Sequence, residues 1–192
     1  LVGSEMCIRD RLRSMKKDNV ILIGMPGVGK STVGVVLAKI LGYHFIDTDL
    51  VIQEKEGRLL KEIIAAEGND GFLHIEDRIN AELEAEHSVI APGGSVVYGG
   101  NAMRHFKEIG TVVYLKASYE MINERLSNLE GRGVVLKEGQ TLKDLYDERC
   151  ILYEKYADFT VDEQGRNLAD TARAVASLVR ACLLYTSDAA DE

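Results

Sequence analysis

Gly24-Met25-Pro26-Gly27-Val28-Gly29-Lys30-Ser31 decides how the rest of the chain is read. It fits G-x-x-x-x-G-K-[ST] at every fixed position. It follows the continuous apolar run Val20–Ile23 and opens a helical pattern over Ser31–Leu41 that closes at Gly42. A strand, a glycine-rich loop and a helix in that order form the context a phosphate-binding loop requires. The chemistry explains the pattern. Glycines let backbone N–H groups converge on phosphate oxygens, and the helix N-terminus adds the positive end of its dipole. Gly27, Val28 and Gly29 supply that backbone. Lys30 is expected to bridge the β- and γ-phosphates from an exposed position with no packing role. The Ser31 hydroxyl is expected to hold Mg²⁺, and Thr32 to reach the α-phosphate.

Strands and helices alternate outward from this loop. Tyr43–Ile46 reads as a second strand. Leu50–Glu67 is helical with a break near Gly57, and Gly71–Glu86 is a long helix with apolar Phe72, Ile75, Ile79 and Leu83. Val89–Ala91 is a third strand, Asn101–Ile109 a helix, Thr111–Leu115 a fourth strand, and Ser118 caps a helix to Ser127. Asn128–Gly139 is polar, holds three glycines and reads as a loop. Thr141 and Asp144 stand at capping-box spacing before a helix to Lys155. Phe159–Val161 is a fifth strand and Leu168–Arg180 a last helix. This alternation predicts an α/β fold whose parallel sheet is covered on both faces.

The ligand edge of such a sheet lies beyond the C-terminal ends of its strands. Asp47 and Asp49 lie there, at the end of the second strand. Residues two apart on an extended chain project to one side, so one carboxylate could organise Mg²⁺ while the other accepts a proton from a substrate hydroxyl. Alternatively, Asp49 only caps the next helix. Gly93-Gly94-Ser95 follows the third strand at the same edge, where paired glycines allow close approach to a small ligand or simply make a turn. Arg125, Arg132, Arg149 and Arg166 could converge on anionic groups or remain solvated. Arg132, in the polar loop, is the one best placed to be carried onto a transferring phosphate. His44, His74, His87 and His105 show no metal-ligand spacing, and Cys150 reads as packing.

Composition bounds the class. The chain has 192 residues, 46% hydrophobic and 28% charged, with a net charge of −8. That balance fits a globular protein and disfavours one whose main task is gripping nucleic acid. No apolar run approaches the roughly 20 residues of a membrane span. Three Cys and two Pro exclude a disulfide framework. Leu1–Arg11 and Cys182–Glu192 lack the periodicity of an element and resemble translated adapter sequence. Residues 15–181 are therefore expected to form a single domain, with 1–14 and 182–192 as non-natural or disordered ends and Met15 as the natural start. Without those ends only Cys150 remains, which suits a cytoplasmic protein, and a monomer is expected.

Together, GMPGVGKST, FIDTD, the Phe72…Glu76 helix, the glycine turn, Gly131-Arg132-Gly133 and DERCILYEKYAD resemble the shikimate kinases, in the nucleoside-monophosphate-kinase-like branch of phosphate-loop proteins. The resemblance covers about Asn19–Arg180. It implies a P-loop kinase fold: a three-layer sandwich around a five-stranded parallel sheet in the order 2-3-1-4-5. It also implies ATP with Mg²⁺, and phosphorylation of shikimate to shikimate 3-phosphate in aromatic amino acid biosynthesis. By the same resemblance Asp47 touches Mg²⁺ through water, Asp49 binds the acceptor hydroxyl, Gly93 and Gly94 line the acceptor site, and Arg149 binds the acceptor carboxylate. Arg132 is the lid arginine, and Arg125 and Arg166 flank the adenine. Three positions depart from the family. Leu73 stands where an arginine usually helps hold the carboxylate, Ser95 replaces the third glycine, and Arg132-Gly133-Val134 replaces Arg-Pro-Leu. The donor half is intact and the acceptor half altered. A kinase for another small hydroxy acid or polyol, and a nucleotide-binding sensor without turnover, are the competing readings.

Overall fold

The computed structural model describes residues 18–127 and 139–188, with side chains up to residue 181. Its centre is β1 (Asn19–Ile23), whose Val20, Ile21, Leu22 and Ile23 are all buried. A strand without a polar face must be covered on both sides, and each such aliphatic side chain contributes about 1.5–3 kcal/mol by leaving water. The other strands are β2 (His44–Asp47), β3 (Ser88–Ala91), β4 (Gly110–Lys116) and β5 (Phe159–Asp162). They form one five-stranded sheet in the order β2-β3-β1-β4-β5, and every pair is parallel. Ile21 is opposite Ile90 on one side and Val112 on the other. The class and order implied by the sequence are therefore those found.

Asn19 fixes how the sheet starts. Its Nδ2 donates to the carbonyls of Ala85 at 2.8 Å and Ile109 at 2.9 Å, and its Oδ1 accepts from the Ser88 N–H at 3.0 Å. One buried amide thus ties the entries of β3 and β4 to β1, as a buried polar group must be hydrogen bonded.

Seven helices among the described residues cover the sheet: α1 (Lys30–Leu41), α2 (Thr48–Glu56), α3 (Leu60–Ala81), α4 (Gly100–Ile109), α5 (Tyr119–Ser127), α6 (Leu142–Tyr156) and α7 (Leu168–Asp188). The Thr141–Asp144 capping box is present at the start of α6, and the Ser118 Oγ accepts from the Met121 N–H at 3.3 Å ahead of α5.

Apart from shifts of a residue or two at element ends, four differences from the sequence reading matter. First, β2 begins one residue late, and Tyr43 instead sets its ring edge-on against His87. Second, the helical stretches Leu50–Glu67 and Gly71–Glu86 are redistributed. Gly57 ends α2 as expected, but α3 then runs from Leu60 through a break at Gly68, where φ is 70° and ψ −177°. Only glycine takes that conformation without strain, so the break falls there. α3 stops at Ala81, because the chain turns to bury Leu83 in the core. Third, a 3₁₀ turn, Val96–Tyr98, follows the glycine turn. Fourth, α7 continues past Arg180 to Asp188, since no Gly or Pro intervenes to stop propagation.

Besides the main core, a smaller cluster of Ile52, Ile63, Phe72 and Ile79 joins α2 to α3. No helix among the described residues is long and apolar enough to cross a membrane.

Candidate active site

The loop between β1 and α1 is held by contacts to its main chain. The Val28 N–H donates to the Met25 carbonyl at 3.2 Å. Arg125, on α5, donates from one Nη to the Val28 carbonyl at 2.8 Å and pairs with buried Glu163 at 3.2 Å. Arg125 therefore braces the loop from behind, and Arg166 lies exposed on the segment after β5. Thr32 is exposed in the first turn of α1.

Lys30 is not exposed, contrary to the sequence expectation. It is buried, and its Nζ donates to the carbonyls of Gly24 at 2.8 Å and Met25 at 3.2 Å. Burial lowers its pKa to about 8, with Arg149 adding to the decrease and Asp49, Glu76 and Asp47 opposing it.

The two aspartates do not share a strand. Asp47 ends β2 and caps α2, its Oδ1 accepting from the Asp49 N–H at 3.1 Å. Its Oδ2 accepts from the Ser31 hydroxyl at 2.9 Å. Asp49 lies in the first turn of α2. The idea that Asp49 is the helix cap is thereby corrected: the short chain of Asp47 reaches the orphan N–H groups, as an N-cap side chain should. A hydroxyl and a carboxylate oxygen side by side are hard oxygen donors of the kind Mg²⁺ takes alongside phosphates. Among the described residues no group of three or more His, Cys, Asp or Glu forms a ligand cage.

Across the sheet edge the glycine turn is close to everything. A Cβ on Gly93 would sit 2.5 Å from Glu76 Oε1 and 3.2 Å from Asp49 Oδ1. One on Gly94 would sit 2.7 Å from the Pro26 ring of the phosphate loop and 3.2 Å from Arg149 Nη1. The paired glycines thus bring the donor loop, both carboxyls and the arginine to one point. Buried Tyr153 locks the turn by donating its hydroxyl to the Gly94 carbonyl at 2.6 Å.

Arg149, on α6, is only 2% exposed. It stacks over the Tyr98 ring with Cζ 5.3 Å from the centroid. Leu73, Tyr98, Leu145, Asn69 and Asp70 line a cavity with it. Cys150 packs, accepting from the Tyr114 hydroxyl at 3.4 Å.

Glu76 is the site residue that sequence reasoning missed. It is 1% exposed, and its Oε1 has no hydrogen-bond partner among the described residues. Burial pushes its pKa up to about 7, and Asp49 adds to the increase. A hydrogen bond from Ser95 and the charges of Arg149 and Lys30 act in the opposite direction. A signal was available: Glu76 falls on the same helical stripe as Phe72, Ile79 and Leu83, where a carboxylate is out of place unless the site uses it. Arg132 lies outside the described residues.

The site therefore joins the glycine-rich loop to a small cavity that includes a buried guanidinium. Known proteins are similar to this chain in sequence and fold. The family model described as shikimate kinase matches residues 26–180. A shikimate kinase from Thermodesulfovibrio yellowstonii is 36% identical over 160 residues, covering 82% of this chain and 92% of that one. One from Clostridium botulinum is 40% identical over 142 residues, covering 72% and 84%. The structure of shikimate kinase from Acinetobacter baumannii in complex with shikimate superposes with a TM-score of 0.79 at 31% identity, over 88% of this chain and 97% of that one. The chain belongs to the shikimate kinase family, small-molecule kinases that move a phosphoryl group from ATP to a hydroxyl.

Proposed function

We propose that this chain phosphorylates shikimate, with the phosphate loop holding ATP and the cavity beyond Gly94 holding the acceptor. The observation that carries the reading is the convergence of Asp49, Glu76, Pro26 and Arg149 on the Gly93–Gly94 turn. That convergence supports a carboxylate as proton acceptor and a guanidinium as anion partner beside the donor loop.

The roles follow from position. Gly27, Val28 and Gly29 present N–H groups to the phosphates, and Lys30 exchanges its two carbonyl partners for phosphate oxygens as ATP enters. The ammonium then meets negative charge in a buried place, where each charge-assisted contact is strong. Ser31 and Asp47 would hold Mg²⁺, which supplies charge neutralisation for the phosphates. Asp49 accepts the proton of the acceptor hydroxyl, and Arg149 takes the carboxylate. Arg132 closes over the transferring group. Arg125 supports the loop that the nucleotide lies on, and Arg166 borders the base.

The test is ADP release with shikimate against a panel of other small hydroxy acids and polyols. Shikimate-dependent turnover exceeding that of the panel supports the reading. Turnover on another panel member with none on shikimate overturns the substrate, and ATP binding with no turnover on any overturns the kinase. The apolar Leu73 in the cavity wall gives the panel its purpose, because it leaves Arg149 as the one cation among the lining residues.

A further inference from the structure

A cavity with one cation among its described lining residues depends on how that cation is held. Arg149 is buried, and its cavity is lined by Leu73, Leu145, Asn69, Asp70, Gln140 and Tyr98. Tyr98 comes from the 3₁₀ turn after the glycines. Its ring lies under the guanidinium, with Arg149 Cζ 5.3 Å from the centroid, and Arg149 Nε is 3.5 Å from its hydroxyl oxygen. The hydroxyl is also hydrogen bonded to Glu148. Glu148 is in turn fixed, its Oε2 accepting from Gln140 Nε2 at 3.0 Å. The ring face fixes the plane of the guanidinium by cation–π attraction, and the hydroxyl engages Nε. Nη1 then lies toward the Gly94 turn, 3.2 Å from the point a Cβ would occupy there.

We propose that Tyr98 is the positioning residue for the acceptor's anionic group: it holds the Arg149 guanidinium in plane so that its terminal edge faces the glycine turn. The proposal rests on the reading of Arg149 as the carboxylate partner. It also explains how a pocket with Leu73 in its wall binds an anion when Arg149 is the one arginine among the described lining residues. A flexible arginine must lose rotamer freedom when it grips a carboxylate, whereas one already oriented by a ring loses less.

The experiment is steady-state kinetics and melting temperature for wild type, Tyr98→Leu and Tyr98→Phe. Two acceptors are used: shikimate, and the same ring with a hydroxymethyl group in place of the carboxylate. Tyr98→Leu should raise the KM for shikimate about 3- to 30-fold, leaving kcat and the KM for ATP near wild type. Tyr98→Phe keeps the ring face and should recover most of the loss. On the hydroxymethyl acceptor neither variant should differ from wild type by more than about twofold, because there is no anion to orient. An equal rise on both acceptors, a fall in kcat at constant KM, or no change on shikimate would overturn the role of Tyr98 alone. A wild type with the same KM for both acceptors, or one that neither binds nor phosphorylates shikimate, would overturn the Arg149 reading beneath it.

Discussion

The donor and acceptor halves of the site are built on different principles. The phosphate loop rises from a fully buried strand of the sheet, and its contacts run to backbone atoms: Lys30 to two carbonyls, Arg125 to a third. The acceptor half is made of side chains from β2, α2, α3, the 3₁₀ turn and α6. It stands beside the separate small cluster of Ile52, Ile63, Phe72 and Ile79. A cradle of main-chain groups survives only if the whole local pattern survives. A pocket of side chains can be changed one residue at a time, at positions such as Leu73 and Ser95. Chemistry is thereby anchored in one half, and specificity is left adjustable in the other.

The largest effect should come where the halves meet. Asp49→Asn keeps the shape but removes the proton acceptor, so kcat should fall about 10²–10⁴-fold with the KM for ATP little altered. Because Asp47 is the cap of α2, the melting temperature should stay near wild type. A kcat within a few-fold of wild type would show that Asp49 is not the base. Lys30→Ala tests the donor half and should lower kcat about 10²–10³-fold, the usual cost of losing one preorganised contact to developing charge. Burial holds its pKa near 8, below the ordinary 10.5. Folding therefore disfavours the ammonium at neutral pH, and this cost is relieved as pH rises from about 8 toward 10.5. The unliganded variant should melt within about 4 °C of wild type at pH 7. A collapse in stability would mean that Lys30 has a structural role.

This division also explains what the sequence revealed. The loop, the alternation of strands with helices and the Thr141 cap were legible because local chemistry repeats with fixed spacing there, whereas the strand order came from the family resemblance. The Gly68 break was half-legible, since a glycine marks it but does not say whether the helix resumes. The strand placement of Asp49 failed because Asp47 caps the helix: the helix begins at Thr48, and the extended chain ends at Asp47, two residues before Asp49. Lys30 was misplaced because exposure depends on a nearby partner, the loop's own carbonyls. Tyr98 over Arg149 joins positions 51 apart in the chain, and no spacing rule reaches that far.

Leu73→Arg sharpens the comparison from the acceptor side. If shikimate is the acceptor, a second guanidinium adds a charge-assisted contact to its carboxylate. The KM should fall about tenfold or more with kcat nearly unchanged, the mark of uniform binding. If the acceptor presents an apolar group to this wall, the arginine weakens the native reaction instead. Kinetics of both proteins on the acceptor panel decide between the two.

The smallest effect concerns the charge stored between the halves. Glu76 is buried and its pKa is raised from 4.5 to about 7, burial being the largest cause. The folded state therefore binds the proton more tightly than the unfolded chain. Between about pH 4.5 and 7 the folded protein carries more protons, so stability falls as pH rises through that window, and the penalty is fully present above it. Glu76→Gln keeps the shape and removes this titration. The difference in melting temperature, wild type minus variant, should decline by several degrees from pH 5 to pH 8, whatever its absolute sign, because at roughly 1.4 kcal/mol per pKa unit the shift amounts to a few kcal/mol at most. Using the difference between two proteins cancels the surface carboxylates, which titrate identically in both. A difference that stays constant with pH would mean that Glu76 is ionised throughout, compensated by Lys30 and Arg149, and that the two halves are joined by an ion cluster rather than by a neutral carboxyl.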